Sequence, residues 1–123
     1  MTFRIVLLFS VLVTIALVHT VALEFFLYWK YLWLDIPMHV LGGVACSLFF
    51  SVLPFFGIRV HERYNRVWGY FAFTLCIGVM WELFEVVAGI SRGEPGFVLD
   101  TITDLSMDTV GAFIGFILVK KGL

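Results

Sequence analysis

Nine ionisable residues, Glu24, Asp35, Glu82, Glu85, Asp100, Asp104, Asp108, His19 and His39, lie within or beside stretches apolar enough to span a membrane. Ionisable groups at membrane depth are costly and mark a functional site by default. Their spacing groups them. Asp35 and His39 stand at i and i+4, Asp100, Asp104 and Asp108 at i, i+4 and i+8, and Glu82 and Glu85 at i and i+3, so each set shares one helix face. Carboxylate oxygens with imidazole are a donor set for a divalent cation, Zn, Mn or Fe in preference to Mg. The expected ligands are His39, Asp104, Asp108, Glu82 and Glu85, with Asp35, Asp100 and His19 as weaker members, and Glu82 or Glu85 would be the catalytic base.

Plainer roles stand beside these. Asp100 and Asp35 could cap the helices they open. His19 is alone on its helix and reads as a hydrogen-bonded structural histidine, and His61, beside Glu62 in a basic turn, reads as solvated. The remaining group is harder to dismiss on energy. A charged carboxylate deep in a span costs about 2.5–3.5 kcal/mol, and several together would rival a small fold's stability of about 5–15 kcal/mol. Protons or a bound cation must offset them.

Such residues need elements to bring them together. The chain has 123 residues, 62% hydrophobic and only 14% charged, with a mean hydropathy of +1.05. That balance excludes an ordinary soluble domain and leaves no basic face for nucleic acid. Four stretches can cross about 30 Å of hydrocarbon as helices, at about 5–23, 36–56, 67–90 and 101–119. Pro37 falls in a first turn, where a missing donor costs little, and Pro54 with Gly57 marks a helix end. The aromatic segment Glu24 to Asp35 reads as an interfacial belt. Arg59–Arg66 reads as a basic turn, and Ser91–Leu99 as a polar loop. The expected fold is all-α: one domain, an up-down bundle of four transmembrane helices with antiparallel neighbours. The first run resembles a signal peptide in outline, with Arg4 before it and Thr20-Val21-Ala22 near its end. It continues to Leu23, which favours a retained span.

Lys and Arg set the orientation. With both termini cytoplasmic, the inside holds Arg4, Arg59, Arg63, Arg66, Lys120 and Lys121, and the outside only Lys30 and Arg92. The carboxylates and His19 and His39 then converge toward the outer face. Glycines continue the polar stripes: Gly42, Gly78, Gly89, and Gly111 with Gly115 in a GxxxG spacing that allows close helix approach. Cys46 and Cys76 lie mid-span without CxxC spacing and read as small buried apolar residues.

The pattern Asp35-Ile36-Pro37-Met38-His39 with Gly42-Gly43, then Trp81-Glu82-Leu83-Phe84-Glu85, then Asp100, Asp104, Asp108, Gly111 and Gly115 resembles small VanZ-like and YjdF-like membrane proteins. It covers about residues 35–115 through sparse positions. VanZ-like proteins often carry Glu-x-x-Gln and Asp-x-x-x-Asn where this chain has second carboxylates, and the Trp-Glu-Leu-x-Glu form is nearer YjdF-like proteins. The resemblance implies a protein of the bacterial cytoplasmic membrane, with a link to antibiotics that target the envelope. Gly96, Asp100 and Asp104 also imitate the end of the CDP-alcohol phosphotransferase signature, but its upstream Asp-Gly half is missing.

Three functions fit. A metal-dependent enzyme could act on the headgroup of a lipid or lipid-linked envelope substrate. A proton or cation pathway could use the same carboxylates, yet the inner half-spans carry Phe49, Phe50, Phe71, Phe73, Phe113 and Phe116, so a through-path calls for a homo-oligomer. A non-catalytic binding protein would keep the cluster only to fix the bundle.

Overall fold

The computed structural model describes residues 2–89 and 96–122, and contains helices and no strand among them. The helices are α1 (Thr2–Glu24), α2 (Leu27–Lys30), α3 (Asp35–Val52), α4 (Val67–Ala88) and α5 (Phe97–Lys120), with 3-10 turns at Leu32–Leu34 and Leu53–Phe56 extending α3 at both ends. Among the described residues, four helical stretches are long and apolar enough to cross a membrane: Phe3–Glu24, Leu32–Phe56, Val67–Ala88 and Phe97–Lys120.

Local chemistry explains where the ends differ from expectation. Gly89, at φ 78, takes the left-handed position that stops α4, and its N–H reaches the Glu85 and Val86 carbonyls. Gly89 is thus a terminator and not a packing position, and Ile90 lies outside the described residues. Gly96, at φ 101, turns the chain into α5, which begins at Phe97 rather than near Thr101. Most of the expected polar loop, with Arg92 and Glu94, falls outside the described residues. Pro54 and Gly57 end the second span as anticipated, Gly57 sitting at φ 79. The aromatic belt segment is itself helical, folding into α2 and the Leu32–Leu34 turn.

The central helix is α3. Half of its most apolar window is buried, against 11% for α1. Its tightest partner is α5, and the two run parallel, so the closest pair in the bundle is neither sequential nor antiparallel. Small residues make this approach possible. A Cβ added to Gly43 would strike the Asp108 carbonyl, and one added to Gly111 would strike the Val40 carbonyl. Ser47, fully buried, donates its hydroxyl to the Ala112 carbonyl at 2.8 Å across the same seam.

On α4, the buried residues Tyr70, Thr74, Gly78 and Glu82 form a strict i, i+4 stripe against α5. Its lower part is aromatic. Tyr70 packs edge-on to Phe50 at 4.8 Å and to Phe116 at 5.1 Å between ring centroids. Leu8, Leu48, Val52 and Val119 join this core. At that end Arg4 donates to the Val119 carbonyl at 3.0 Å and Lys120 to the Asn65 carbonyl at 3.3 Å. One end of the bundle is therefore basic and sealed by aromatics.

Among the described residues α1 and α4 touch only sparsely. A cavity of about 810 Å³ occupies the gap at the opposite, acidic end. Cys46 is half-buried, whereas Cys76 is exposed, on the lipid side of α4, contrary to the buried reading.

Candidate functional site

The i, i+4 spacing on α3 and on α5, together with their parallel packing, brings three side chains around one imidazole. His39 Nε2 lies 3.7 Å from Asp35 Oδ1 and 3.7 Å from Asp104 Oδ1. On the other side of the ring, His39 Nδ1 is 3.2 Å from Asp108 Oδ1. Asp104 and Asp108 are buried at 4% and 6% exposure, so water does little to screen this arrangement.

The two kinds of distance mean different things. At 3.2 Å the Nδ1–Asp108 pair is a hydrogen bond, with Nδ1–H donating to the carboxylate. At 3.7 Å the Nε2 contacts are too long for one. They suit ligands shared about a cation, since donors about 2.1 Å from a tetrahedral ion sit about 3.4 Å from each other. One ligand atom each from Asp35, His39 and Asp104 lies within 4.8 Å of the others, a group that could hold a metal ion. With Nδ1–H donated to Asp108, Nε2 is the ring nitrogen left with a lone pair, the arrangement that a carboxylate gives a histidine able to bind a metal.

Among the described residues this group consists of Asp35, His39 and Asp104, and the other expected site residues stand around it. Glu82 is buried on the α4–α5 seam, where the Thr101 hydroxyl donates to its Oε2 at 2.8 Å and its Oε1 has no partner. Glu85 is half-buried, lines the cavity and accepts from Trp81 Nε1 at 2.9 Å. Glu24 is exposed.

Asp100 is exposed, lines the cavity, and lies in the first turn of α5 after the cap residue Gly96. It is not the N-cap. Nor is Asp35, which opens α3 after Leu34 with no side-chain cap bond. Both carboxylates thus remain free to face the cavity. His19 pairs with the Tyr28 hydroxyl at 2.8 Å and meets Trp81 edge-on, as a structural histidine would. Burial, then the Asp35 and Glu85 carboxylates, push the Tyr28 phenol above its ordinary range, so it stays a neutral hydrogen-bonding partner. His61 is exposed in its turn, accepting from the Arg63 N–H.

Two hydroxyls were not singled out from the sequence. Thr101 holds Glu82, and its signal was the i−3 spacing from Asp104. Thr74 is 1% exposed in the cavity wall, one turn below Gly78. Hydroxyls on the outer faces of the helices bond back to the i−4 carbonyl, as Thr14, Thr20 and Ser106 do. Thr74 Oγ1 has no partner.

Residues 1–121 match the family described as "Predicted membrane protein (DUF2238)", and the chain belongs to it. No curated protein and no solved structure matches.

Proposed function

We propose that this member of that membrane-protein family is a single four-helix domain that binds one divalent cation through Asp35, His39 and Asp104. The observation that carries the reading is the convergence of those three ligand atoms from two helices, with Asp108 behind the histidine. Three protein ligands leave a position open, the pattern of a catalytic rather than a structural site. Zn, Mn or Fe suits the mixed oxygen and nitrogen donors better than Mg. Such an ion supplies Lewis acidity toward a phosphoryl or acyl oxygen.

The chain's own residues would do the rest. Asp108 and Gly78 set the imidazole: a Cβ at Gly78 would lie 2.5 Å from Asp108 Oδ2, so only glycine leaves that carboxylate its place. Glu85, on the cavity wall, is positioned as a general base, and Glu82 is a buried reserve held by Thr101. The substrate would be the headgroup of a lipid or lipid-linked envelope molecule, consistent with the resemblance to VanZ-like and YjdF-like proteins. A through-pathway for ions is less favoured, because the Phe50, Tyr70, Phe73 and Phe116 rings fill the basic half of the bundle.

Charge supports an orientation with the basic end and both termini cytoplasmic in a bacterial inner membrane. That end gathers Arg4, Arg59, Arg63, Arg66, Lys120 and Lys121.

Elemental analysis of the purified protein tests the reading. One equivalent of transition metal is expected in the wild type and in Glu82→Gln, and less than a tenth of an equivalent in folded Asp104→Asn. Metal-free wild type, or full retention in Asp104→Asn, would overturn it.

A further inference from the structure

Below the carboxylates the cavity does not end. Leu12, Cys46 and Ile77 belong both to it and to a second space of about 180 Å³, which continues along α1, α3 and α4 past Leu8, Phe49 and Phe73. The upper space is lined by Asp35, Glu85, Asp100, Asp108 and aromatic rings, and the lower is wholly apolar. The two share a neck. Thr74 sits at that level, one turn below Asp108 and Gly78, with its buried hydroxyl unpartnered. The α1 and α4 backbones approach only sparsely, with the His19–Trp81 ring contact bridging their seam at the acidic end, and Leu12 and Ile77 on that seam are exposed.

We infer that the continuous space binds one membrane lipid with an amine-bearing headgroup, entering laterally between α1 and α4. The headgroup lies among the carboxylates, and one acyl chain follows Leu12 and Ile77 down to Phe49 and Phe73. The inference deepens the proposed function, since the headgroup end adjoins the Asp35–His39–Asp104 group.

Three observations choose this occupant. The upper space, about 810 Å³, has the size of a small-molecule site rather than a packing defect. No Lys or Arg lines it among the described residues. Its wall carries four carboxyl groups, Asp35, Glu85, Asp100 and Asp108, with His39 between them, a lining that favours a cationic headgroup over an anionic one. Tyr28, Trp29 and Trp81 line the same wall and add ring faces that attract a cation. At the neck, the Thr74 hydroxyl can donate to an acyl ester carbonyl, the polar link between headgroup and chain in a glycerolipid.

Hydrocarbon on hydrocarbon gives little net drive in a bilayer, since lipid tails are as apolar as leucine. The chain groove therefore sets register, and the headgroup sets selectivity.

The test uses the full protein in vesicles of equal phosphatidylethanolamine and phosphatidylglycerol, one or the other carrying a diazirine on its acyl chain. After irradiation, adducts are mapped by peptide mass spectrometry. The phosphatidylethanolamine probe should label Leu8, which is buried, and Phe73 about tenfold more than the phosphatidylglycerol probe does. Labelling at Val79, an exposed residue of α4, should not distinguish the two. Ile77→Trp, which blocks the neck from an exposed position, should bring Leu8 and Phe73 down to the Val79 level, and Thr74→Val should lower them severalfold.

Equal labelling of Leu8 and Phe73 by both probes in the wild type, or labelling of them that ignores Ile77→Trp, would overturn the inference. Metal content separates this result from the reading it rests on. Metal retained without selective labelling defeats the lipid site alone, whereas selective labelling of a metal-free protein defeats the metal centre alone.

Discussion

His39 has a different partner on each ring nitrogen, and that asymmetry is the chemical core of the molecule. Nδ1 is engaged by Asp108, leaving Nε2 directed at Asp35 and Asp104. If Asp108 only orients the ring, Asp108→Asn should leave the protein folded and weaken metal affinity about 10–100-fold. Titration with Zn or Mn followed by calorimetry measures this, and an unchanged affinity would show that the carboxylate's charge adds nothing beyond the acceptor that the Asn amide oxygen still offers Nδ1–H. The spacing of Asp35 with His39 and of the three aspartates was legible in the sequence, because a helix puts i and i+4 on one face. The sequence reading places Glu82 ahead of Asp35, whereas the geometry groups Asp35 with His39 and Asp104. Both are carboxylates near the same end, but Asp35 sits on the helix of His39 while Glu82 turns into the α4–α5 seam toward Thr101. That choice depends on which helices pair, and pairing is not a local property.

At the scale of elements, the site depends on how closely α3 and α5 approach. The glycines that allow it were visible as a stripe, yet the parallel partnership was not, because short loops pointed to sequential neighbours. Two adjacent glycines separate contact from mere composition. A Cβ at Gly42 would lie 3.8 Å from Asp108 Oδ1, an ordinary contact, whereas one at Gly43 would collide with the backbone of Asp108 and Ala112. Gly42→Ala should therefore be neutral or stabilising by up to about 1 kcal/mol. Gly43→Ala should destabilise by about 1–3 kcal/mol. Thermal unfolding in detergent compares them, and the opposite order would mean that the α3–α5 seam is misplaced.

For the whole molecule, the separation of charge is the organising fact. Basic residues crowd the aromatic-sealed end, and carboxylates crowd the end with the cavity, so the fold is polarised along the membrane normal. The four spans were readable from hydropathy alone; their ends shifted by a few residues where Gly89 and Gly96 adopt left-handed turns. The orientation proposed from this polarity predicts that single cysteines placed at Lys121 and at Glu62, in a Cys46→Ala, Cys76→Ala background, react with a membrane-impermeant maleimide only after the cells are opened. A cysteine at Lys30 should react in intact cells. Labelling of all three in intact cells, or of Lys121 alone, would contradict an arrangement with both termini inside.

One cation between Asp35, His39 and Asp104 is what the proposed site requires before anything else. X-ray absorption at the metal edge of the zinc-loaded protein addresses it without passing through activity or stability. Such a site should give a first shell of oxygen and nitrogen at about 2.0–2.2 Å with the scattering of a single imidazole. A sulfur shell at about 2.3 Å, placing the ion on Cys46 instead, or a spectrum of fully hydrated zinc would contradict it.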